Sequence, residues 1–420
     1  MILYDFVTLL ICKSIFWVLR RTGRHGAALP GLVMEKLNPG ILERSLSQLP
    51  EGVIVISGTN GKTTTTHFIA SALKKHGLKV FTNHSGSNMT RGILASIVRH
   101  TTPFGRLKYE IAVLEIDEAY AAQLAPRIKP RASVLTNVLR DQLDRFGEID
   151  HTAALLGTLA EYTQQYVVAN AKDQRLVNQL KKGLGSQVVW FGPSVKLAPH
   201  FPGDDEWYGA HQAYHPPRDA YLLTEKSEKM IGITHQGHSI GLDSHLEGWH
   251  NAANLVATYA CIQNLFESAK ASIYSGLTAP YGRGEELKVR GVTVILQLVK
   301  NPSGFRTAMD VQPSWPALVV VNDAYADARD VSWLWDVQVA QLATRPALYT
   351  SGTRAKDMSV RLKYADLAVV SDTTSIEDSF KLIFEQQEHV VVFLTYTAML
   401  EVRSFLHTIN SRDAEKGGTL

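Results

Sequence analysis

Residues 53–66 restrict the possible folds of this chain more than any other stretch. Val53-Ile54-Val55-Ile56 is a β-branched run, the pattern of a buried strand. Gly58-Thr59-Asn60-Gly61 follows as a tight glycine loop. From Lys62 the period becomes helical, with Phe68, Ile69, Ala72 and Leu73 on one face and Gly77 as a stop. Strand, glycine loop and helix start, in this order, make an anion site. Amides with no intrahelical partner point at a phosphate, and the helix dipole favours negative charge there. Gly58, Thr59, Asn60, Gly61, Lys62, Thr63 and Thr64 are therefore candidate nucleotide-binding residues. Lys62 can reach the β- and γ-phosphates, and Thr63 can offer a hydroxyl to Mg²⁺. The full spacing of such loops wants glycine at position 56, where Ile56 stands, so this loop is a shortened one. An ordinary glycine turn is the plain alternative, but a lysine followed by four threonines is a poor choice for it. Lys62 is expected to face ligand rather than core, so Lys62→Ala should abolish turnover and leave the fold intact.

At 420 residues the chain has room for two or three domains. Its 45% hydrophobic and 20% charged residues are ordinary for a folded soluble protein. A formal net charge of +3 is weak for this length and gives no case for nucleic acid. Cys12 and Cys261 form no CxxC pair and no disulfide framework, which fits a reducing cytoplasm. The apolar runs Phe6 to Cys12 and Ser14 to Leu19 are interrupted by charge at Asp5 and Lys13. They fall short of the ~20 apolar residues a spanning helix needs. Arg20 and Arg21 follow the apolar part, whereas a signal peptide carries its positive charge first. Residues 1–48 are read as a helix and wrap packed on the protein. A helix lying on a membrane surface is the alternative. The expected location is cytoplasmic, with the inner face of the membrane included.

After the glycine loop, strands alternate with helices. Leu78 to Thr82, Tyr109 to Leu114, Ala132 to Leu135 and Gln187 to Phe191 read as strands, and Ile93 to His100 as a helix. This alternation predicts a parallel, doubly wound α/β sheet. In such sheets ligands bind at the carboxyl ends of the strands, where Ser57, Glu115 and Asn137 all fall. Mg²⁺ held by a nucleotide needs oxygen donors, and one or two carboxylates suffice. Of Glu115, Asp117 and Glu118, Glu115 is the expected metal ligand, since not all three can point inward together. Asn137 is a further candidate for the nucleotide site. Gly192 to Lys229 is rich in Pro, His, Asp and Trp with little periodicity. From Leu287 a second, smaller Rossmann-like pattern begins. Its strands are Thr293 to Val299, Ala317 to Val321, Ala347 to Thr350, Leu367 to Ser371 and Val390 to Thr395, with helices between. The expected division is 1–48, 49–286 and 287–420.

Gly58 to Thr64 resembles the ATP-binding loop of the Mur ligase superfamily, whose members form amide bonds to carboxylates through acyl phosphates. Asp141-Gln142-Leu143-Asp144-Arg145-Phe146-Gly147-Glu148 is more specific. It resembles a pattern of the MurT family, the ligase-like subunits of lipid II isoglutaminyl synthase, with phenylalanine where tyrosine is usual. Lys300-Asn301-Pro302-Ser303-Gly304-Phe305, Asp327-Ala328-Arg329-Asp330-Val331-Ser332-Trp333-Leu334-Trp335-Asp336 and Ser351 to Met358 match the same family. The resemblance covers nearly all of residues 27 to 400. It implies a Mur-ligase-like ATPase domain followed by a Rossmann-like domain. It implies ATP and Mg²⁺ as cofactors and adds Asn170, Asp173, Asn251, Asn254 and Arg283 to the expected nucleotide-binding residues.

The implied reaction is amidation of the D-glutamate α-carboxylate of lipid II to D-isoglutamine through an acyl phosphate. Lys62 and Glu115 serve the transfer. Ammonia comes from a GatD-like class I glutamine amidotransferase, the expected heterodimer partner, because neither Cys12 nor Cys261 lies in a strand-to-helix elbow. In this family a ligase-subunit aspartate completes the partner's catalytic triad. Asp330 is the first choice, at a predicted helix N-cap, Asp336 inside that helix the second, and Asp327 the third. Many family members carry a four-cysteine zinc ribbon; none of those cysteines is present, and His211, His215, His235 and His238 give no tight i,i+4 pair inside a predicted helix, so no zinc is expected. Two rivals stand: an amino-acid ligase of the folylpolyglutamate type, and a nucleotide-binding regulatory subunit without catalysis.

Overall fold

The computed structural model describes residues 2–21, 29–83, 88–140, 149–180, 183–203, 213–327 and 329–417. Its contacts divide into two compact units. The first runs to Thr278, except for Arg140 and Leu246–Trp249, which group with the second; the second begins at Ala279.

The first unit carries β1 (Val53–Ser57), β2 (Val80–Thr82), β3 (Ile111–Glu115), β4 (Ala132–Leu135), β5 (Tyr166–Asn170), β6 (Gln187–Pro193), β7 (Tyr221–Lys226), β8 (Met230–His235) and β9 (His238–Asp243). Its helices are α1 (Ile2–Arg21), α2 (Leu29–Leu37), α3 (Ile41–Leu46), α4 (Lys62–Lys75), α5 (Thr90–His100), α6 (Glu118–Ile128), α7 (Ile149–Glu161), α8 (Gln174–Leu180) and α9 (Trp249–Leu265). One sheet joins all nine strands in the order β2-β3-β1-β4-β5-β6-β7-β8-β9. β1 lies parallel between β3 and β4, with Val55 opposite Leu114 and Ser133. Every residue of β1, β3 and β4 is buried, as a parallel sheet covered on both faces requires. α4 closes one face with Phe68, Ile69, Ala72 and Leu73, all fully buried. Each of the larger side chains contributes roughly 2 kcal/mol by leaving water. α1 to α3 share a core with the sheet helices through Leu9, Cys12, Met34, Ile41 and Leu42.

The sheet is not parallel throughout. β7 to β9 form an antiparallel meander in and beyond the stretch read as aperiodic. Its last hairpin turns on Gln236 and Gly237, both at positive φ (48° and 83°), the type I′ geometry that suits strand twist. β9 is the edge strand, and His238, Ser239 and Gly241 on it are exposed. An edge strand with little to bury shows almost no alternation, which is why its sequence is silent.

The second unit carries β10 (Arg283–Val289), β11 (Val292–Leu298), α10 (Pro302–Met309), β12 (Ala317–Val320), β13 (Leu348–Ser351), α11 (Ala355–Lys363), β14 (Ser371–Asp372), α12 (Ile376–Gln386), β15 (His389–Leu394) and α13 (Tyr396–Gly417). The strand order is β10-β11-β15-β12-β13-β14, parallel except for the β10–β11 hairpin. The unit begins earlier than the expected 287 because β10 pairs along its length with β11. The strand expected at Leu367 to Ser371 is shorter and later, only Ser371–Asp372. Asn301 and Pro302 have a local cause: Asn301 caps α10, accepting from the Gly304 amide at 2.7 Å, and Pro302 occupies the first turn.

A nucleotide-shaped candidate site at the carboxyl ends of the first sheet

The sheet order reverses at β1, and ligands of doubly wound sheets gather at that point. The loop after β1 has the backbone that its glycines predict. Gly58 is at φ 123° and Gly61 at φ 88°. A Cβ on Gly58 would lie 2.4 Å from Thr136 Oγ1, and one on Gly61 2.5 Å from Asn254 Oδ1. A side chain at Gly58 would strike the Asn137 backbone, and one at Gly61 would have to displace Asn254. Gly61 is also the N-cap of α4 and makes no side-chain cap there, so the positive end of the helix dipole faces the loop.

Two segments fix the loop, the stretch after β4 and α9. Asn137, just past β4, accepts from the Asn60 amide at 2.9 Å and donates to the Asn60 carbonyl at 3.1 Å. The Asn137 carbonyl accepts from the Thr59 amide at 2.9 Å. Thr59 Oγ1 accepts from the Leu139 amide at 3.1 Å. Asn254 of α9 stands against Gly61. Asn251, one helical turn earlier, is fully buried.

Lys62 is buried. Its ammonium donates to the Gly58 carbonyl, to the Thr59 carbonyl at 3.2 Å and to Glu118 Oε1 at 2.9 Å. Glu118, at the start of α6, is buried as well. The pair is thus a buried ion pair folded over the loop, and Lys62 faces protein as much as ligand space. Truncating it would strand the Glu118 charge, so the expectation that Lys62→Ala leaves the fold untouched needs correcting.

Thr63 Oγ1 donates to Glu115 Oε1 at 3.0 Å. A hydroxyl and a carboxylate at that separation are the hard oxygen donors Mg²⁺ takes, with water and phosphate oxygens completing its shell. Sequence reasoning missed Asn83, which fixes Glu115. Its side chain accepts from the Glu115 amide at 3.0 Å and donates to the Glu115 carbonyl at 2.8 Å, extending the ladder by one side chain. The available signal was a polar residue directly after β2, level with Ser57 and Glu115. Thr64 is buried within α4.

Two other expected residues have structural employment here. Asn170 ends β5 and donates to the Thr136 carbonyl at 3.0 Å. Asp173 accepts from the amides of Arg175 at 3.0 Å and Leu176 at 3.1 Å, capping α8, and from Val138 at 2.5 Å. Burial pushes its carboxyl up to about 6, against the amides that favour the charged form. Asp173 therefore anchors the stretch beside Asn137. Arg283 opens β10 in the second unit. The Asp141 to Glu148 motif lies outside the described residues.

Cys12 and Cys261 are both fully buried. Burial pushes their thiols up to about 11 and about 12, the opposite of an activated nucleophile. His235 stacks on Tyr221 at 3.7 Å. His211 is outside the described residues, and among the described residues no group of three or more His, Cys, Asp or Glu could hold a metal.

In the second unit the three aspartates separate. Asp327 is buried and occupied: it accepts from the Thr397 amide at 2.7 Å, the Ala324 amide at 3.2 Å and the Thr397 hydroxyl. Asp330 is exposed, accepting from the Ser332 amide and hydroxyl, both at 2.8 Å, which hold its carboxyl below the usual range. The predicted helix behind it is a short 3₁₀ turn, Ser332–Asp336, so Asp336 ends the element rather than lying inside it. Asp336 is exposed.

The family model of the Mur ligase middle domain matches residues 56–262, and that of the MurT ligase C-terminal region matches 298–399. The lipid II isoglutaminyl synthase (glutamine-hydrolyzing) subunit MurT of Streptococcus pneumoniae (strain ATCC BAA-255 / R6) is 31% identical, over 95% of this chain and 96% of that one. The Staphylococcus aureus (strain COL) subunit of the same name is 29% identical, over 83% and 85%. Among solved structures, MurF ligase from Thermotoga maritima in complex with ADP superposes with a TM-score of 0.69 at 16% identity, over 91% of this chain and 85% of that one. UDP-N-acetylmuramate-alanine ligase MurC from the same organism gives 0.61 at 15%, over 92% and 83%. These solved structures share the fold. With a Mur ligase middle domain, a MurT C-terminal region and relatives matched along almost their whole length, this chain belongs to the MurT family.

Proposed function

We propose that the chain is the ATP-dependent ligase subunit of a lipid II isoglutaminyl synthase. It converts the D-glutamate α-carboxylate of the lipid II stem peptide to the amide of D-isoglutamine through an acyl phosphate. ATP and Mg²⁺ are its cofactors, and its ammonia comes from a GatD-like class I glutamine amidotransferase. The location is cytoplasmic, where ATP is available. The observation that carries this reading is the Lys62, Thr63 and Glu115 cluster at the start of α4, in a chain of this family.

A carboxylate is a poor acyl donor. Transfer of the γ-phosphoryl from ATP to one carboxylate oxygen breaks the bond to the β-phosphate, releases ADP and makes phosphate the leaving group of the acyl phosphate. Ammonia then forms the C–N bond, loses a proton and expels inorganic phosphate. Thr63 and Glu115 would hold Mg²⁺, which would supply neutralisation of phosphate charge. The rest falls to the chain. The glycine loop lets the backbone approach the phosphates, and the N-terminal end of α4 meets their charge with its dipole. Lys62 exchanges Glu118 for a phosphate oxygen and offsets charge developing on the transferred group. For the partner's triad, Asp330 is favoured by its exposure and by the Ser332 bonds that hold its carboxylate ionised.

The test is incubation of the purified chain with ATP, D-glutamyl lipid II and ammonium, with and without amino acids. Amidated lipid II is the expected product. An amino-acid adduct would support a ligase of the folylpolyglutamate type, and no turnover a regulatory subunit.

A further inference from the structure

α1 is apolar on two faces, and the protein covers one. On the inner face Leu9 and Cys12 are fully buried against the sheet helices. There too the Asp5 carboxylate accepts from Arg44 at 2.6 Å and Asn38 at 2.7 Å, pinning the helix down. On the outer face Leu3, Val7, Leu10, Ile11, Trp17 and Val18 are 43% to 75% exposed. At the helical period these six fall within an arc of about 120°, along a strip of about 22 Å. A helix apolar all round is ordinarily enclosed on all sides. Between Leu3 and Val18 no charged residue is exposed.

The exposed charges at the end of the strip and on the hairpin beside it have one sign. Arg20 and Arg21 are exposed at its end, and the Arg21 guanidinium lies over the Trp17 ring at 4.2 Å. Beside the helix, Phe104 is 67% exposed and stacks on Phe6 at 5.3 Å. Arg106 in the same short hairpin and Lys108 just past it are exposed, and residues 101–108 contain no acid. The nearby carboxylates of Asp5 and Glu35 are already paired, with Arg44 and Arg91. Among the described residues no helix is long and apolar enough to cross a membrane.

An apolar strip with tryptophan and arginine at one end and cations beside it matches the boundary between acyl chains and anionic headgroups. We propose that α1 docks flat on an anionic phospholipid bilayer, with Leu3 to Val18 in the acyl boundary and Arg20, Arg21, Arg106 and Lys108 at the headgroups. This rests on the reading of the substrate as lipid-linked: a surface-bound ligase meets a membrane-anchored substrate in two dimensions.

Flotation of the full chain with vesicles tests it. The chain should float with phosphatidylcholine vesicles containing phosphatidylglycerol. With phosphatidylcholine alone, or in molar salt, binding should fall at least ~10-fold. Leu10→Glu combined with Trp17→Glu should also lower binding at least ~10-fold while ATP binding stays unchanged. If that variant loses ATP binding through misfolding, Ser14→Glu, at an exposed polar position of the same strip, replaces it. Absence of wild-type flotation, or equal flotation of the folded variant, overturns docking. So does a self-associated dimer, or a complex with the glutaminase subunit, that the same variant breaks while neither protein floats. Amidation of a water-soluble D-glutamyl stem peptide keeps the two readings apart. Amidation without flotation sinks the docking alone, and flotation without amidation sinks the functional reading.

Discussion

Lys62 shows how far a single residue was legible. Its place after the glycine loop was plain from the pattern, but its partner was not, because Glu118 arrives from α6, 56 positions along the chain. Breaking a buried ion pair on one side costs on the order of 3 kcal/mol. Lys62→Ala should therefore lose both turnover and about that much stability to urea. Lys62→Met combined with Glu118→Gln removes both charges and should regain most of the stability but none of the turnover. Urea unfolding of both variants checks this; full stability in Lys62→Ala would mean the pair is not formed. Asp173 contributes one part of the pH dependence. Its folded value of about 6 exceeds the ordinary 3.8, so the folded state holds the proton more tightly than the unfolded chain. The stability this adds is complete below 3.8 and is lost as pH rises through about 6. Asp173→Asn should flatten the fall in stability between those values, read by urea midpoints across the range.

Among elements, β1, its loop and α4 were legible because each obeys a local rule: β-branched strand, glycine turn, amphipathic helix. The meander β7 to β9 was not, since its edge strand buries little and its turn is Gln-Gly rather than the more telling Asn-Gly. Asn83 escaped for a similar reason: a side chain that imitates a strand's backbone has no periodicity. The loop geometry makes its own prediction. Gly61→Ala should cost ~1–2 kcal/mol for the left-handed backbone. It should also weaken ATP binding, because its Cβ would displace Asn254. Gly77→Ala is the control. It shares the positive φ, at 103°, but a Cβ there would have nothing within 4 Å. It should lose similar stability and no ATP affinity, as measured by calorimetric titration.

At the scale of the whole molecule, the two α/β units were legible from alternation, but their boundary was not. The β10–β11 hairpin draws residues from Arg283 onward into the second sheet, and such pairing is a tertiary fact that no local pattern carries. The same distance of argument separates Asp330 from a triad. In the reconstituted complex with its glutaminase, Asp330→Asn should remove glutamine-driven amidation and spare ammonium-driven amidation. Equal loss of both would point to misfolding, and loss of neither would move the role to Asp336, since Asp327 is already engaged with Thr397. The central claim is amidation through an acyl phosphate, and the fate of one oxygen atom tests it. D-glutamyl lipid II with heavy oxygen in the α-carboxylate is turned over with ATP and ammonium, and the released phosphate is analysed by mass spectrometry. The account predicts one heavy oxygen in inorganic phosphate for each amide formed; amide produced with unlabelled phosphate would contradict it.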